Sequence, residues 1–223
     1  MSNIAILGSG GWGMALAISA FNGGCEVTLW SPFKEEVELL REKRTNEKLL
    51  KDIYLPEGIT ITDDLSVVEG DTLTIIATPS TAVREVAQKL SAYKDFGIIV
   101  NVSKGFEKGS LKRLSEVIEE VLPTSPMVAL TGPSHAEEVA RNIPTSIVAA
   151  SKSLAAAEAV QSILASETLR IYTSNDIIGA ELGGALKNVI AIAAGFCDGV
   201  GLGDNTKAAL ITRGLAEMAR LGV

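Results

Sequence analysis

The sequence predicts an α/β protein: a parallel sheet with helices on both faces, followed by the start of an all-α domain. Three observations carry this. Short apolar runs alternate with helical patterns from Asn3 to Thr173. Those runs are continuously apolar, as strands covered on both faces are. After Ser174-Asn175-Asp176 no strand pattern recurs.

The elements follow in order. Asn3 to Gly8 and Glu26 to Trp30 read as strands bracketing a helix of small residues. Thr72 to Ala77 and Gly97 to Val102 bracket a helix in STAVREVAQKLSA. Ser110 to Val121 reads as a helix whose apolar stripe is Leu111, Leu114, Val117, Ile118 and Val121. Met127 to Gly132, Thr145 to Ala150 and Thr168 to Thr173 complete the strands. Asn175 or Asp176 can cap the long helix that comes next. The turn DGVGLGDN interrupts it, and another helix starts near Thr206. The expected division is residues 1–174 for the sheet domain and 175–223 for the first, incomplete part of the helical one.

Composition narrows the function. With 223 residues, 47% of them apolar, the chain can bury a sizeable core. A net charge of −7 argues against nucleic acid and anionic membranes as partners. A local basic pocket for a phosphorylated small molecule is still compatible with it. Cys25 and Cys197 match no metal spacing and read as reduced thiols of a cytoplasmic protein. The first apolar run is short and breaks at Gly8, so no signal peptide is expected. The stretch Ile177 to Phe196 approaches membrane-span length, but Glu181, Lys187 and Asn188 would be costly in lipid. It is expected to be a buried helix of a soluble protein, with no membrane insertion.

Four motifs carry chemistry. Gly8, Gly10 and Gly13 form G-x-G-x-x-G after the first strand and at the opening of a helix. That is the fingerprint of a Rossmann-type dinucleotide site: a tight turn, close approach to a pyrophosphate, and tight helix packing, with helix N–H groups facing the phosphates. The second strand then ends in Trp30-Ser31-Pro32-Phe33-Lys34, with no carboxylate in place for a ribose. Glu35 and Glu36 come a turn late, and Lys34 could face a 2′-phosphate, so these residues leave NAD and NADP open.

Lys104 lies just past a strand's carboxyl end, where an ammonium can meet a phosphate or oxyanion. In LTGPSHAEEVA, Gly132 permits close backbone approach, and Ser134 with Glu137 reads as a capping box. His135, the only histidine, has no evident carboxylate partner and is a weak general-base candidate. Lys187 stands in a helix apolar almost all round, through Leu182, Leu186, Val189, Ile190 and Ile192. An ammonium there is paired or faces a cleft; Glu181, six residues away, is badly spaced to pair with it. Desolvation lowers a lysine's pKa, which suits proton exchange with a substrate oxygen.

Together GSGGWGMALA, YLP (Tyr54 to Pro56), ATPSTAVREV, SKGFE, LTGPSHAEEVA and ELGGALKNVIAIAAGFCDGVGLGDNTKAALITRGLAEM resemble NAD(P)-dependent glycerol-3-phosphate dehydrogenase of the bacterial type. The resemblance runs over essentially the whole chain. It implies hydride transfer between NAD(P)H and the C2 carbonyl of dihydroxyacetone phosphate, giving sn-glycerol 3-phosphate, a glycerophospholipid precursor. It also implies roles. Gly8, Gly10, Gly11, Trp12 and Gly13 cradle the cofactor, Phe33 falls near its adenosine end, and Ala136 lies beside it. Lys104 touches cofactor and substrate, Gly132 and Ser134 line the substrate side, and Lys187 is the proton donor and acceptor, followed by Asn188. No metal is implied, and a homodimer is left open.

Three departures from the resemblance stand out. Pro32 replaces a common arginine, and Gly11 replaces a common serine or asparagine. The chain also stops before the helices that carry the family's aspartate and its phosphate-gripping arginine–asparagine pair. It is therefore expected to bind the dinucleotide but to turn over poorly unless those helices are supplied. Two alternatives are a non-catalytic dinucleotide-binding module and another reductase of the same architecture, such as a ketopantoate-type or 6-phosphogluconate-type enzyme.

Overall fold

The structure, a computed structural model, describes residues 2–222. Its centre is an eight-stranded sheet built from β1 (Asn3–Leu7), β2 (Glu26–Trp30), β3 (Thr60–Thr62), β4 (Leu73–Ile76), β5 (Ile98–Asn101), β6 (Met127–Thr131), β7 (Thr145–Ala150) and β8 (Leu169–Ser174). The strand order is 3-2-1-4-5-6-7-8. The first six strands have the doubly wound arrangement, whose order reverses between β1 and β4.

Side chains in β1 alternate between two cores. Ile4 and Ile6 join one face, Ala5 and Leu7 the other, and all four are buried. This is why the strands read as unbroken apolar runs. On the first face α1 (Gly11–Asn22) is buried from Gly13 to Ala20, and α6 (Leu154–Leu164) packs beside it. A helix enclosed on all sides must be apolar on all sides, and α1's small residues let it lie close to the sheet. The other face is covered by α3 (Val83–Leu90) and α4 (Leu114–Val121). The exposed helix α2 (Lys34–Lys43) buries only Val37 and Leu40.

Several expectations are corrected. β3 was unmarked in the sequence because it is three residues long and pairs only with β2. The sheet is not wholly parallel: β6 and β7 are antiparallel, Thr131 facing Val148. The helix between them, α5 (Ala136–Ala140), has five residues and rises only about 7.5 Å, too little for a crossover back along the sheet. The helix expected from Ser110 begins at Leu114. The preceding loop folds on itself through a Phe106–Arg113 bridge, with Leu111 at φ 58° and exposed.

Helix α7 (Ile177–Gly199) opens on Asp176, whose carboxylate accepts from the Gly179 N–H at 2.8 Å. The next helix, α8 (Gly203–Leu221), begins three residues earlier than expected, since Gly203 already takes helical pairing. α7 is not a buried helix: only Ile177, Gly184 and Cys197 are buried, and Ile192 is 74% exposed. Its length and composition would suffice to cross a membrane. Here it lies on β6, β7 and α8, and the acid in its first half is tied down. Glu181 accepts from Arg113 Nη1 and from the Ser115 N–H, each at 2.8 Å, which fastens α7 to the start of α4. Both cysteines are free and buried.

At the opposite, amino edge of the sheet, Asp71 is half-buried and its Oδ2 has no partner among the described residues. Desolvation pushes its carboxyl up to about 6. The folded chain therefore holds this proton where the unfolded chain has released it, and stability falls as pH rises from about 4 to 6. Asp71→Asn is expected to raise Tm at pH 7.5 by about 2–4 °C, on the order of 1 kcal/mol after discounting for solvent screening. The gain should vanish near pH 4; an unchanged melt at pH 7.5 would refute it.

Candidate active site

The carboxyl ends of β2, β1, β4, β5 and β6 lie side by side and carry, in that order, Ser31, Gly8, Thr78, Lys104 and Gly132. The glycine loop after β1 is fixed by two contacts. Gly8 sits at φ +127°, and a Cβ on it would lie 2.7 Å from the Ala77 carbonyl oxygen. A Cβ on Gly13 would lie 1.9 Å from the Gly8 carbonyl oxygen. Gly10 differs: it caps α1, and a Cβ there would meet nothing within 4 Å. The two outer glycines hold the turn together, while the middle one keeps open the space above the α1 N–H groups. That space is what a pyrophosphate needs.

The loop opens on a groove of about 440 Å³ lined by Gly8, Gly10, Phe33, Glu36, Thr78 and Pro79 among others. Phe33 is 67% exposed there, while Lys34 stands exposed at the start of α2 outside the lining. Gly11 and Ala136 meet behind the loop: a Cβ on Gly11 would come within 3.8 Å of Ala136 Cβ and 3.3 Å of the Leu49 carbonyl oxygen. The smallness of Gly11 thus admits the loop around Leu49.

Past β5, Lys104 Nζ donates to Ser134 Oγ at 2.7 Å and to the Gly132 carbonyl at 3.2 Å. This corrects the capping-box reading: α5 starts at Ala136, and the Ser134 hydroxyl receives the ammonium instead. Glu137 turns toward Arg141 at 3.7 Å. Gly132 also has an architectural reason, since a Cβ on it would lie 3.0 Å from Ile147 Cα on β7. His135 is exposed at the α5 cap, with no side-chain hydrogen bond there.

α7 crosses this edge at Gly184, where a Cβ would lie 2.5 Å from Thr131 Oγ1 and 4.0 Å from Lys104 Cγ. One turn on, Lys187 is half-buried on the wall of a cleft of about 540 Å³ shared with Thr131, Gly132, Asp176 and Gly183. Its Nζ donates to Asn188 Oδ1 at 2.7 Å. Glu181 is engaged below, as its spacing anticipated. Burial, and secondarily the charge of Lys187, push Lys104 down to about 8. Lys104 and Lys187 are both half-buried.

Three of the four buried side-chain polar atoms without a partner among the described residues lie in these segments. They are Trp12 Nε1, Thr78 Oγ1 and Thr131 Oγ1. Buried polar atoms are ordinarily hydrogen-bonded, so orphans gathered on one edge mark where a polar ligand completes the structure. Both threonines were missed in the sequence, though their places just past β4 and at the end of β6 were a readable signal. The loop beyond Lys104 is braced from outside, where Arg84 holds Glu107 at 2.5 Å and also reaches Glu120.

A doubly wound sheet, an open glycine cradle at its switch point and two lysines at the same edge define a protein of the Rossmann-type dinucleotide-binding class. Family comparison makes this specific. The model described as NAD-dependent glycerol-3-phosphate dehydrogenase N-terminus matches residues 3–157, and its C-terminus counterpart matches 176–223. The chain belongs to the NAD-dependent glycerol-3-phosphate dehydrogenase family. It is 51% identical over 223 residues to glycerol-3-phosphate dehydrogenase [NAD(P)+] of Desulfitobacterium hafniense, covering 100% of this chain and 63% of that protein. It is 51% identical to the protein of the same name from a Thermoanaerobacter species, covering 99% and 67%. The crystal structure of glycerol-3-phosphate dehydrogenase from Coxiella burnetii superposes with a TM-score of 0.90 at 40% identity, covering 99% of this chain and 68% of that one. A ketopantoate reductase from Ralstonia eutropha shares the fold at 16% identity and a TM-score of 0.62. The chain thus spans about two thirds of the length of its relatives.

Proposed function

We propose that this chain supplies the cofactor site and part of the catalytic site of a cytoplasmic glycerol-3-phosphate dehydrogenase that reduces dihydroxyacetone phosphate to sn-glycerol 3-phosphate. The observation that carries the reading is the convergence of Lys104 and Lys187 beside an open dinucleotide cradle. In this reading residues 1–174 hold the dinucleotide and 175–223 begin the helical catalytic part. The free, buried Cys25 and Cys197 are in keeping with a reducing compartment.

A bound nicotinamide would supply the hydride. The chain's part is binding, orientation and the proton. Gly8, Gly10, Gly11, Trp12 and Gly13 form the cradle, Phe33 covers the adenosine end, and Ala136 backs the loop. Lys104, steered by Gly132 and Ser134, faces cofactor and substrate together. As negative charge grows on the C2 oxygen, the Lys187 ammonium stabilises it and gives up a proton; in reverse it takes the proton back. Glu181 keeps α7 at the height that this requires. A non-catalytic binding module would have no use for the proton donor.

The test is oxidation of NADH or NADPH on adding dihydroxyacetone phosphate. It is run on the chain alone and on the chain fused to the remaining third of the Desulfitobacterium relative. Turnover in the fusion supports the reading. A fusion that binds dinucleotide yet ignores dihydroxyacetone phosphate contradicts it.

A pH effect follows from Lys104. Its ammonium is largely present at pH 7 and largely lost at pH 9, because its pKa lies near 8. Calorimetric affinity of the fusion for glycerol 3-phosphate should fall several-fold between those values. Lys104→Arg, which stays charged, should flatten the profile. A flat profile in the unsubstituted protein would remove Lys104 from the anion site.

A further inference from the structure

The notable gap in the cofactor groove was the missing carboxylate at the end of β2. The structure fills it from elsewhere. Ser31, the residue after β2, is 1% exposed, and its hydroxyl donates to Glu36 Oε2 at 2.5 Å. The Ser31 hydroxyl oxygen in turn accepts a long contact from the Phe33 N–H at 3.4 Å. Glu36 lies on the first turn of α2 and is half-buried, and its carboxylate is drawn back to the strand end. There it lines the groove with Gly8, Gly10 and Thr78. The second Glu36 oxygen makes no hydrogen bond or ion pair among the described residues.

We propose that Glu36, positioned by Ser31, is the residue that selects a dinucleotide with a free ribose 2′-hydroxyl and rejects one carrying a 2′-phosphate. This rests on the cofactor reading above and deepens it. A carboxylate at the end of the second strand can accept hydrogen bonds from a ribose diol. A 2′-phosphate brought to the same place meets a like charge, which it could tolerate only beside a neutralising cation. Among the described residues the groove offers no free one. Lys89 lines it but is paired with Glu85 at 2.8 Å, and Lys34 is exposed outside the lining. Pro32 contributes neither charge nor an N–H donor. The selection is thus local, although the Desulfitobacterium relative is named for either cofactor.

The test is calorimetric titration of the chain with NADH and NADPH in parallel at fixed ionic strength. The unsubstituted chain should bind NADH at least tenfold more tightly. Glu36→Gln should bring the ratio to within about threefold, chiefly by tightening NADPH, and Glu36→Ala should narrow it too. Ser31→Ala should narrow the ratio and Ser31→Thr restore it, a pattern that a merely structural role would not produce. Equal affinities in the unsubstituted chain, or an unchanged ratio in both Glu36 variants, overturn the proposal alone. Failure of the unsubstituted chain to bind either dinucleotide overturns the cofactor reading and this proposal together.

Discussion

Gly13→Ala is expected to cost the chain both its stability and its cofactor, whereas Gly10→Ala should cost only the cofactor. The difference lies in what each added methyl group meets. At Gly13 it would be pressed to 1.9 Å from the Gly8 carbonyl oxygen, and neither backbone can yield without pulling α1 off β1 or opening the β1 turn. Buried overpacking against backbone is among the few mechanisms that reach about 3–5 kcal/mol. For a chain of this size that corresponds to a fall in Tm of about 10 °C or more. At Gly10 the methyl group projects into open space, so the melt should stay within about 2 °C. Yet that space is where the pyrophosphate would lie, and NADH affinity should drop at least tenfold. Thermal melts and NADH titrations of the two variants separate the outcomes. A Gly10→Ala protein that binds NADH normally would show that the cradle is not a phosphate site.

The second large effect belongs to Lys187. In the fusion used to test turnover, Lys187→Met should lower kcat by about 10²–10⁴-fold, the usual worth of a positioned proton donor. NADH affinity should stay within twofold, because the glycine loop lies on the other side of Lys104. The apolar stem remains on the half-buried cleft wall, so Tm should hold. Removing the Lys187 charge removes a like-charge influence on Lys104, whose pKa should then rise from about 8 toward its ordinary value. The pH dependence of glycerol 3-phosphate binding in Lys187→Met should shift upward accordingly. A variant with normal kcat would assign the proton to another group.

Much of this was legible in the sequence, for physical reasons that also mark its limits. Strands buried on both faces announce themselves by continuous apolar runs, and the glycine spacing is dictated by backbone contacts such as that between Gly8 and Gly13. Lys187 was conspicuous because a charge in an apolar helix needs a reason. Strand direction, by contrast, leaves no trace in periodicity, so the reversal at β7 was invisible. Apolar character says that a surface avoids water, not what covers it, so α7 was expected to be buried and is largely not. Ser134 looked like a cap because S-x-x-E is a local pattern, but a lysine thirty residues earlier claimed its hydroxyl. Glu36 stands a turn late in the sequence, and only the folded chain shows it reaching back to Ser31.

The reversal at β7 has a further consequence for how this family can vary in length. Because β7 and β8 run against β6, Ser174 ends level with Ala129, and α7 must climb back to the edge that carries Lys104 and Gly132. From Ile177 to Lys187 that climb is about 15 Å at the helical rise, with Gly184 passing Thr131 on the way. The segment behaves as a ruler. One inserted residue would swing the ammonium by about 100° and aim it away from the cleft, and a two-turn insertion would restore its bearing but overshoot by about 10 Å. Insertions and deletions should therefore be absent between Ile177 and Lys187. They should collect instead in the loop after Lys104 and in the turn joining α7 to α8, where no distance to the cleft is being kept.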